Sequence, residues 1–498
     1  MKRLATQTLS AFLSFLITFQ PLLVVAADLT VDAAANAANK ATVTTAPNGV
    51  PLINIVAPNG AGLSHNKFTD YNVTSKGLIL NNATAMGTSQ LGGILMANPN
   101  FSGASAAKIL NEVTGSSRSQ LKGFTEVFGS KADVIVANQN GITCDGCGFI
   151  NTGRATLTTG APTFTGGALT GFDVDAGDIA IEGLGLDASQ ADAFDVIARS
   201  ATIAANLKAQ ELNLITGRNT VGYNDRAATA KINDGSDKPT FAIDSTALGG
   251  MYAGRIAIVA TEAGVGVNMG GEAAASAGDM TLTADGKIIL ASVSATNTLT
   301  ATSNTGAIDI GSRSHSGGAT TLTADGKVTT ATSTADGALT LTSNNGAVEV
   351  QTLAQSGGAA TVSAKGDVTL ASAKSVGNLA VTSTSGAVNV TTAAYSEGNT
   401  ALTAATGLDV SQSSTGAAGD VTLSGALIDA TDAQVIAGLQ SGGTLASSGT
   451  LTATTAGPLT YGLGQLAAGT AVNITAGSTS GAGGAGGTTP KGSTPKAR

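Results

Sequence analysis

From about residue 279 the chain repeats itself, and the repeat dictates what it can fold into. "TLTADGKIIL" begins at Thr281, "TLTADGKVTT" at Thr321 and "TVSAKGDVTL" at Thr361, alternating with "TLTATSNTGAIDI", "LTLTSNNGAVEV" and "LAVTSTSGAVNV". Gly286, Gly306, Gly326, Gly346, Gly366 and Gly386 fall twenty residues apart, and Gly407 follows at twenty-one. Each unit reads as an alternating Thr/Val/Leu segment, a polar turn with glycine and a second β-branched segment, which fits strands and not a helical period. Ordering twenty residues costs on the order of 20 to 40 kcal/mol of backbone entropy, and one such unit has no face to bury alone. Stacking on identical neighbours at roughly 4.8 Å per coil offsets that cost, so the repeat predicts an all-β parallel β-helix. Coiling of the whole exported chain predicts roughly twenty coils and a rod of about 100 Å.

Aromatic residues divide what lies beyond the leader. From Phe68 to Tyr252 they are frequent, whereas only Tyr395 and Tyr461 follow. The first half is therefore expected to be an individually specified unit that closes one end of the solenoid, and the second half a plain shaft. The chain opens with Met-Lys-Arg, an almost uncharged run from Leu9, and Val25-Ala26-Ala27 before Asp28, the order of a secretory signal with cleavage after Ala27. Glycine accounts for 66 residues and charged residues for 12%, and the formal charge is −8. No basic cluster offers a footprint for nucleic acid, so that partner class is set aside. The expected organisation is a leader over 1–27, a capped β-helix over 28–265, a repetitive shaft over 266–477 and a disordered Gly/Ser/Thr/Pro-rich tail over 478–498.

Two turns stand out, "MANPNFSG" and "VANQNGIT", each an Asn-x-Asn after an apolar segment. Asparagine side chains bond nearby backbone, Pro99 pre-sets φ, and on local grounds these are turns in a β-protein. With "GLSHNKFTDYNV", "GGILMANPNF", "LKGFTEVFGSKADVIVANQNGITCDGCGFINTG" and "FDVIARSATIAANLKAQELNLITGRN" in order, the chain resembles the secretion domain of two-partner secretion exoproteins. The resemblance spans about residues 28 to 265 and is nearest to filamentous haemagglutinin-like adhesins and contact-dependent growth inhibition stalks. It implies a right-handed, capped β-helix and recognition by a cognate outer-membrane barrel transporter. Asn98, Pro99 and Asn100 match the first family turn, with Phe101 at the usual leucine. Asn138, Asn140, Gly141 and Ile142 match the second, with Gln139 at the usual proline.

Cys144 and Cys147 are the only cysteines. An exported Cys-x-x-Cys has three readings: a structural disulfide, a redox pair or half of a metal site. A zinc site needs four ligands and His65 and His315 are far apart in sequence; a redox pair needs a helix N-terminus where the sequence reads as strand. A structural Cys144–Cys147 disulfide is expected, and "CDGC" occupies this place in the growth-inhibition branch of the family.

Parallel β-helices also host polysaccharide-cleaving enzymes, which need clustered carboxylates. Asp173, Asp175 and Asp178 come nearest; a calcium site there is conceivable, but solvated turn carboxylates fit better. His65 has no paired nucleophile and reads as a packing or hydrogen-bonding residue. No enzyme, cofactor or metal is expected. The leading expectation is a secreted or cell-surface adhesin of a Gram-negative bacterium, exported through the periplasm by its transporter and bound to an unknown surface receptor. The alternative is a truncated stalk of a contact-dependent growth inhibition toxin; a carbohydrate-active enzyme is less favoured.

Overall fold

The computed structural model describes residues 28–439, 448–461 and 465–480. Three parallel ladders run through them, and each coil gives one segment to each ladder, the second and third segments lying in one continuous strand in the repeat. In the repeat, Met280–Ala284 stacks on Leu299–Ser303, Ile288 pairs with Ile308, and Val293 pairs with Ser314. Alternate residues point inward, so Leu282, Leu322, Leu341 and Val362 are buried while the threonines between them face out. Burying each leucine contributes about 1.5–3 kcal/mol, which repetition multiplies along the core. The expected all-β parallel coil is therefore present, at about 17 turns, or about 80 Å of rod.

The twenty-residue period is an average. First-ladder partners lie 19 and then 21 residues apart: Met280↔Leu299, Leu299↔Thr320, Thr320↔Leu339, Leu339↔Ala360. The longer coil carries one extra residue in the corner before Gly306 and one in Ile308–Ser316, compared with Ile288–Ala295. Because the first insertion precedes the glycine and the second follows it, the glycines stay twenty apart. The wider corner is filled by a serine. Ser303 Oγ donates to the Gly286 carbonyl at 2.8 Å and accepts from Gly306 N–H at 3.1 Å. Ser343 and Ser383 repeat both bonds, while Ala284, Ala324 and Ala364 occupy the tighter corners. The structural unit is a pair of coils.

The first half winds fewer, longer coils, which is why about 17 turns replace the expected twenty. Leu63 finds its ladder partner only at Lys108, because the chain between them makes an outer hairpin, Gly87–Ser89 with Gly93–Leu95. A second excursion builds a four-stranded antiparallel sheet from Ala161–Thr165, Ala168–Val174, Asn219–Gly222 and Ala228–Ala230. Phe172, Val174 and Val221 of that sheet, with Tyr223 just past its third strand, pack onto Leu110, Ile135, Ile197 and Ile215, on the outside of the first ladder. At the N-terminal end Leu29–Val31 runs antiparallel to Leu63–Tyr71, and Thr42–Thr45 to Pro51–Asn54. Beneath them Phe68 and Tyr71 meet edge to face at 5.2 Å.

The ladders cross residue 265 unbroken, since Gly266–Ala275 pairs back to Met251–Ala253 and on to Ile288–Ala295. The two halves differ in what covers the coil, not in the coil. Ser478–Ser480 still pairs with Pro458–Thr460, so the last described coil reaches three residues past the expected limit at 477. The expected leader with its cleavage after Ala27, and the rest of the expected tail, lie outside the described residues.

Candidate functional site

The two asparagine turns share one hydrogen-bond pattern. Asn98 and Asn138 each accept from their own turn, at Oδ1 from the N–H of Asn100 and Asn140, both at 2.9 Å. Their backbone carbonyls close the turns on Phe101 N–H at 3.1 Å and Gly141 N–H at 3.0 Å. Their side-chain amides reach across coils: Asn98 Nδ2 donates to the Ile55 and Asn81 carbonyls, and Asn138 Nδ2 to the Ser117 carbonyl and Ser119 Oγ. Asn100 Nδ2 bonds the Asn54 carbonyl at 3.0 Å and Asn140 Nδ2 the Gly115 carbonyl at 2.8 Å. Asn98 and Asn138 are buried and serve as brackets, whereas Pro99, Asn100, Gln139 and Asn140 are exposed at the tips.

Gly141 is required where it stands. Its φ is +100°, and a Cβ there would lie 2.4 Å from Arg118 Nη1 and 2.8 Å from the Asp178 carbonyl. Arg118, which the sequence reading passed over, ties this turn to two further strands. Its Nε donates to Thr143 Oγ1 at 2.7 Å, Nη2 to the Ile142 carbonyl at 2.8 Å, and both Nη atoms to the Asp178 carboxylate at 2.8 Å. Ile142 itself is buried in the main core.

Cys144 ends the strand Ile142–Cys144, Cys147 begins Cys147–Ile150, and the two form a disulfide buried inside a corner of the coil. Asp145 and Gly146 make the bend, with Gly146 at φ +85°. Leu121 and Ile181 flank Cys144 in the ladder, and Leu186 flanks Cys147. The thiols of the sequence are thus a core clamp at a corner, sheltered from solvent.

A second feature missed in the sequence is Glu126, buried at 3% exposure. Its carboxylate accepts from Ser89 Oγ at 2.6 Å and from the Gln90 and Leu91 N–H groups at 2.8 Å each, pinning the outer hairpin. The available signal was a lone acid inside the apolar "FTEVF". This hairpin and the following turn expose Ile94 and Met96, each at 70%. With Pro47, Leu52, Asn54 and Pro99 they line a groove of about 350 Å³ beside the first asparagine turn.

The outer sheet is held by a buried charge cluster. Asp195, at 1% exposure, accepts from Asn213 Nδ2 at 2.8 Å and lies 3.2 Å from Arg226 Nε and 3.7 Å from Arg154 Nε. Burial pushes its carboxyl above the usual range against the pull of both arginines. Tyr223 hydroxyl donates to Asp133 at 2.5 Å, and burial, then Asp133, push its pKa up.

The three aspartates singled out in the sequence are each paired. Lys231 bridges Asp173 and Asp175, Arg218 also holds Asp175, and Asp178 belongs to Arg118. His65 Nε2 lies 2.6 Å from Glu112 Oε2, and its ring stacks on Phe164 at 5.2 Å, joining the coil to the outer sheet. Burial pushes the Glu112 carboxyl up, but His65 and Lys67 hold it below its usual range. His315 is far along the shaft, bonded to Thr334.

Residues 27–290 match the family model described as TPS secretion domain. Among curated relatives, the tRNA nuclease CdiA of Escherichia coli (strain STEC_O31) is 49% identical over 291 residues, 58% of this chain and 9% of that protein. The 16S rRNA endonuclease CdiA of Enterobacter cloacae is 47% identical over 302 residues, 60% of this chain and 9% of that protein. The chain thus spans about a tenth of the length of the relatives it matches. A solved structure, the filamentous hemagglutinin secretion domain, is 32% identical, with 65% of this chain and 99% of that chain covered and a TM-score of 0.49.

Proposed function

The chain belongs to the TPS, or two-partner secretion, domain family, and on that premise we propose that its first half is the export address of a surface exoprotein and its second half the start of the stalk. The observation that carries the reading is the repeated asparagine bracket. Two turns bury their first asparagine to fix their shape and expose their tips on one coil scaffold. The partner is a cognate outer-membrane barrel transporter, which reads Pro99, Asn100, Gln139 and Asn140, with the Ile94/Met96 groove as adjoining contact surface. Because the outer membrane has no nucleotide supply, winding of the shaft outside the cell biases movement outward, each coil adding about 4.8 Å of rod.

The role of this region is non-enzymatic. Glu126 and Asp195 are held in hydrogen bonds that fix the coverings of the coil, and Asp173, Asp175 and Asp178 in ion pairs. On this reading the whole exoprotein is an adhesin displayed by a Gram-negative cell. A second reading is favoured by the named relatives: the chain is the stalk of a CdiA-type growth inhibition toxin. Expression with and without a cognate outer-membrane barrel tests export; protein should reach the surface only with the barrel. Surface appearance without the barrel refutes the proposal. Adhesion assays set against co-culture growth inhibition, made with the product of the whole locus, separate the two readings.

A further inference from the structure

The three outward faces of the shaft are unlike one another. On the first ladder the outward positions are Thr281, Thr300, Thr321 and Thr340 in one column and Thr283, Thr302, Thr323 and Thr342 in the next, paired coil to coil without slippage. Thr361 and Ser363 continue the columns before Ala380 interrupts one of them. At the equivalent outward positions the second ladder carries Ile289, Asp309, Thr329 and Glu349, and the third carries Ser294, His315, Thr334 and Gln355. Strand propensity for threonine acts on all three faces alike, so it does not account for one pure face beside two mixed ones.

The geometry points to ice as the ligand of the threonine face. Coils repeat at about 4.8 Å and alternate residues along a strand at about 6.7 Å, so the eight outward threonines stand at the points of a rectangular grid. A pair of spacings close to these recurs among the oxygens of the prism face of hexagonal ice. Threonine is stiff at χ1, so the grid is ordered before water meets it. Among the described residues none of these eight hydroxyls makes a side-chain hydrogen bond within the protein, which leaves each free to hold a lattice water, and the methyl groups between them keep mobile water out. Charge complementarity agrees: on a chain of net charge −8, this face carries no charged side chain from Thr281 to Thr342, as an uncharged lattice requires. A crystalline polysaccharide is also flat and uncharged, but sugar rings are held by aromatic platforms and this face has none. The inference is independent of the export reading.

The test is the gap between melting and freezing of a single ice crystal in the purified full chain, together with crystal habit. The parent should shape the crystal and open a gap. Thr321→Tyr, which puts a bulky ring in the grid, should close it, and Thr329→Tyr, the same change at an outward position of the second ladder, should leave it open. Thermal unfolding of the two variants at the same temperature shows that neither has lost the coil. A parent without a gap, a Thr321→Tyr variant that keeps it, or a parent that sediments with crystalline cellulose while leaving ice unaffected would each overturn the assignment.

Discussion

The first half and the shaft are wound on the same three ladders, yet they are held together differently. In the shaft each stabilising device recurs: a leucine layer, a serine in the wide corner, an alanine in the tight one. In the first half most devices occur once, namely Glu126 under one hairpin, Asp195 under one outer sheet and one disulfide in one corner, and only the asparagine bracket occurs twice. The lesson is that the coil is cheap to repeat but a readable surface is not. A protein partner that must find one place on a coil needs features that do not recur on every coil, and those features need polar groups that are buried and fully bonded.

The contrast is sharpest where a unique buried charge is removed. Asp195→Ala leaves Arg154 and Arg226 without their shared carboxylate and is expected to cost about 3–5 kcal/mol. The loss should be read as protease cleavage within 161–230, with the shaft intact. The group also gives a pH signature. Its folded pKa is raised from 3.8, so the native state binds the extra proton, and its contribution is present below that value and lost as pH rises through the folded pKa. Asp195→Asn should flatten the fall in stability above pH 3.8, measured by denaturant titration at several pH values. Next in size, Glu126→Ala strands three donors at about 1–3 kcal/mol each before relaxation and should free the hairpin Gly87–Ser89 with Gly93–Leu95, seen as hydrogen exchange confined to it.

Much of this difference was legible in advance and some was not. The glycine spacing announces a coil because every turn must be short, and the aromatic boundary near Tyr252 announces that the halves differ. The alternation of 19 and 21 residues was hidden, because Gly306 sits between its two insertions and masks both. Asn98 and Asn138 were legible as turn formers, but their bonds to Ile55 and Ser117 are made across coils, where sequence spacing carries no information. Arg118 and Glu126 were missed for the same reason: their partners lie 24 to 60 and 35 to 37 residues away.

Smaller effects refine the comparison. Replacing Cys144 and Cys147 together by serine should cost less than the ~3 kcal/mol of a fifteen-residue loop, because so short a ring removes little chain entropy. If the disulfide shapes the corner before export without widening the threading chain, the double variant should be secreted less and digested faster. Equal secretion and equal protease resistance would remove that role. Ser343→Ala, in the shaft, should cost only about 1 kcal/mol, since Ser303 and Ser383 keep their own corners, and calorimetry should show a small shift in a single transition.

The most direct measurement compares export of Asn138→Ala with export of Ser343→Ala in cells that carry the barrel, scored as the fraction of chain reaching the surface. Both variants lose a buried hydrogen-bonding side chain from the same coil scaffold, one at a turn that displays exposed tips and one in the plain shaft. The account predicts that Asn138→Ala stays in the periplasm while Ser343→Ala is exported like the parent. Equal export of the two, whether both pass or both fail, would contradict it.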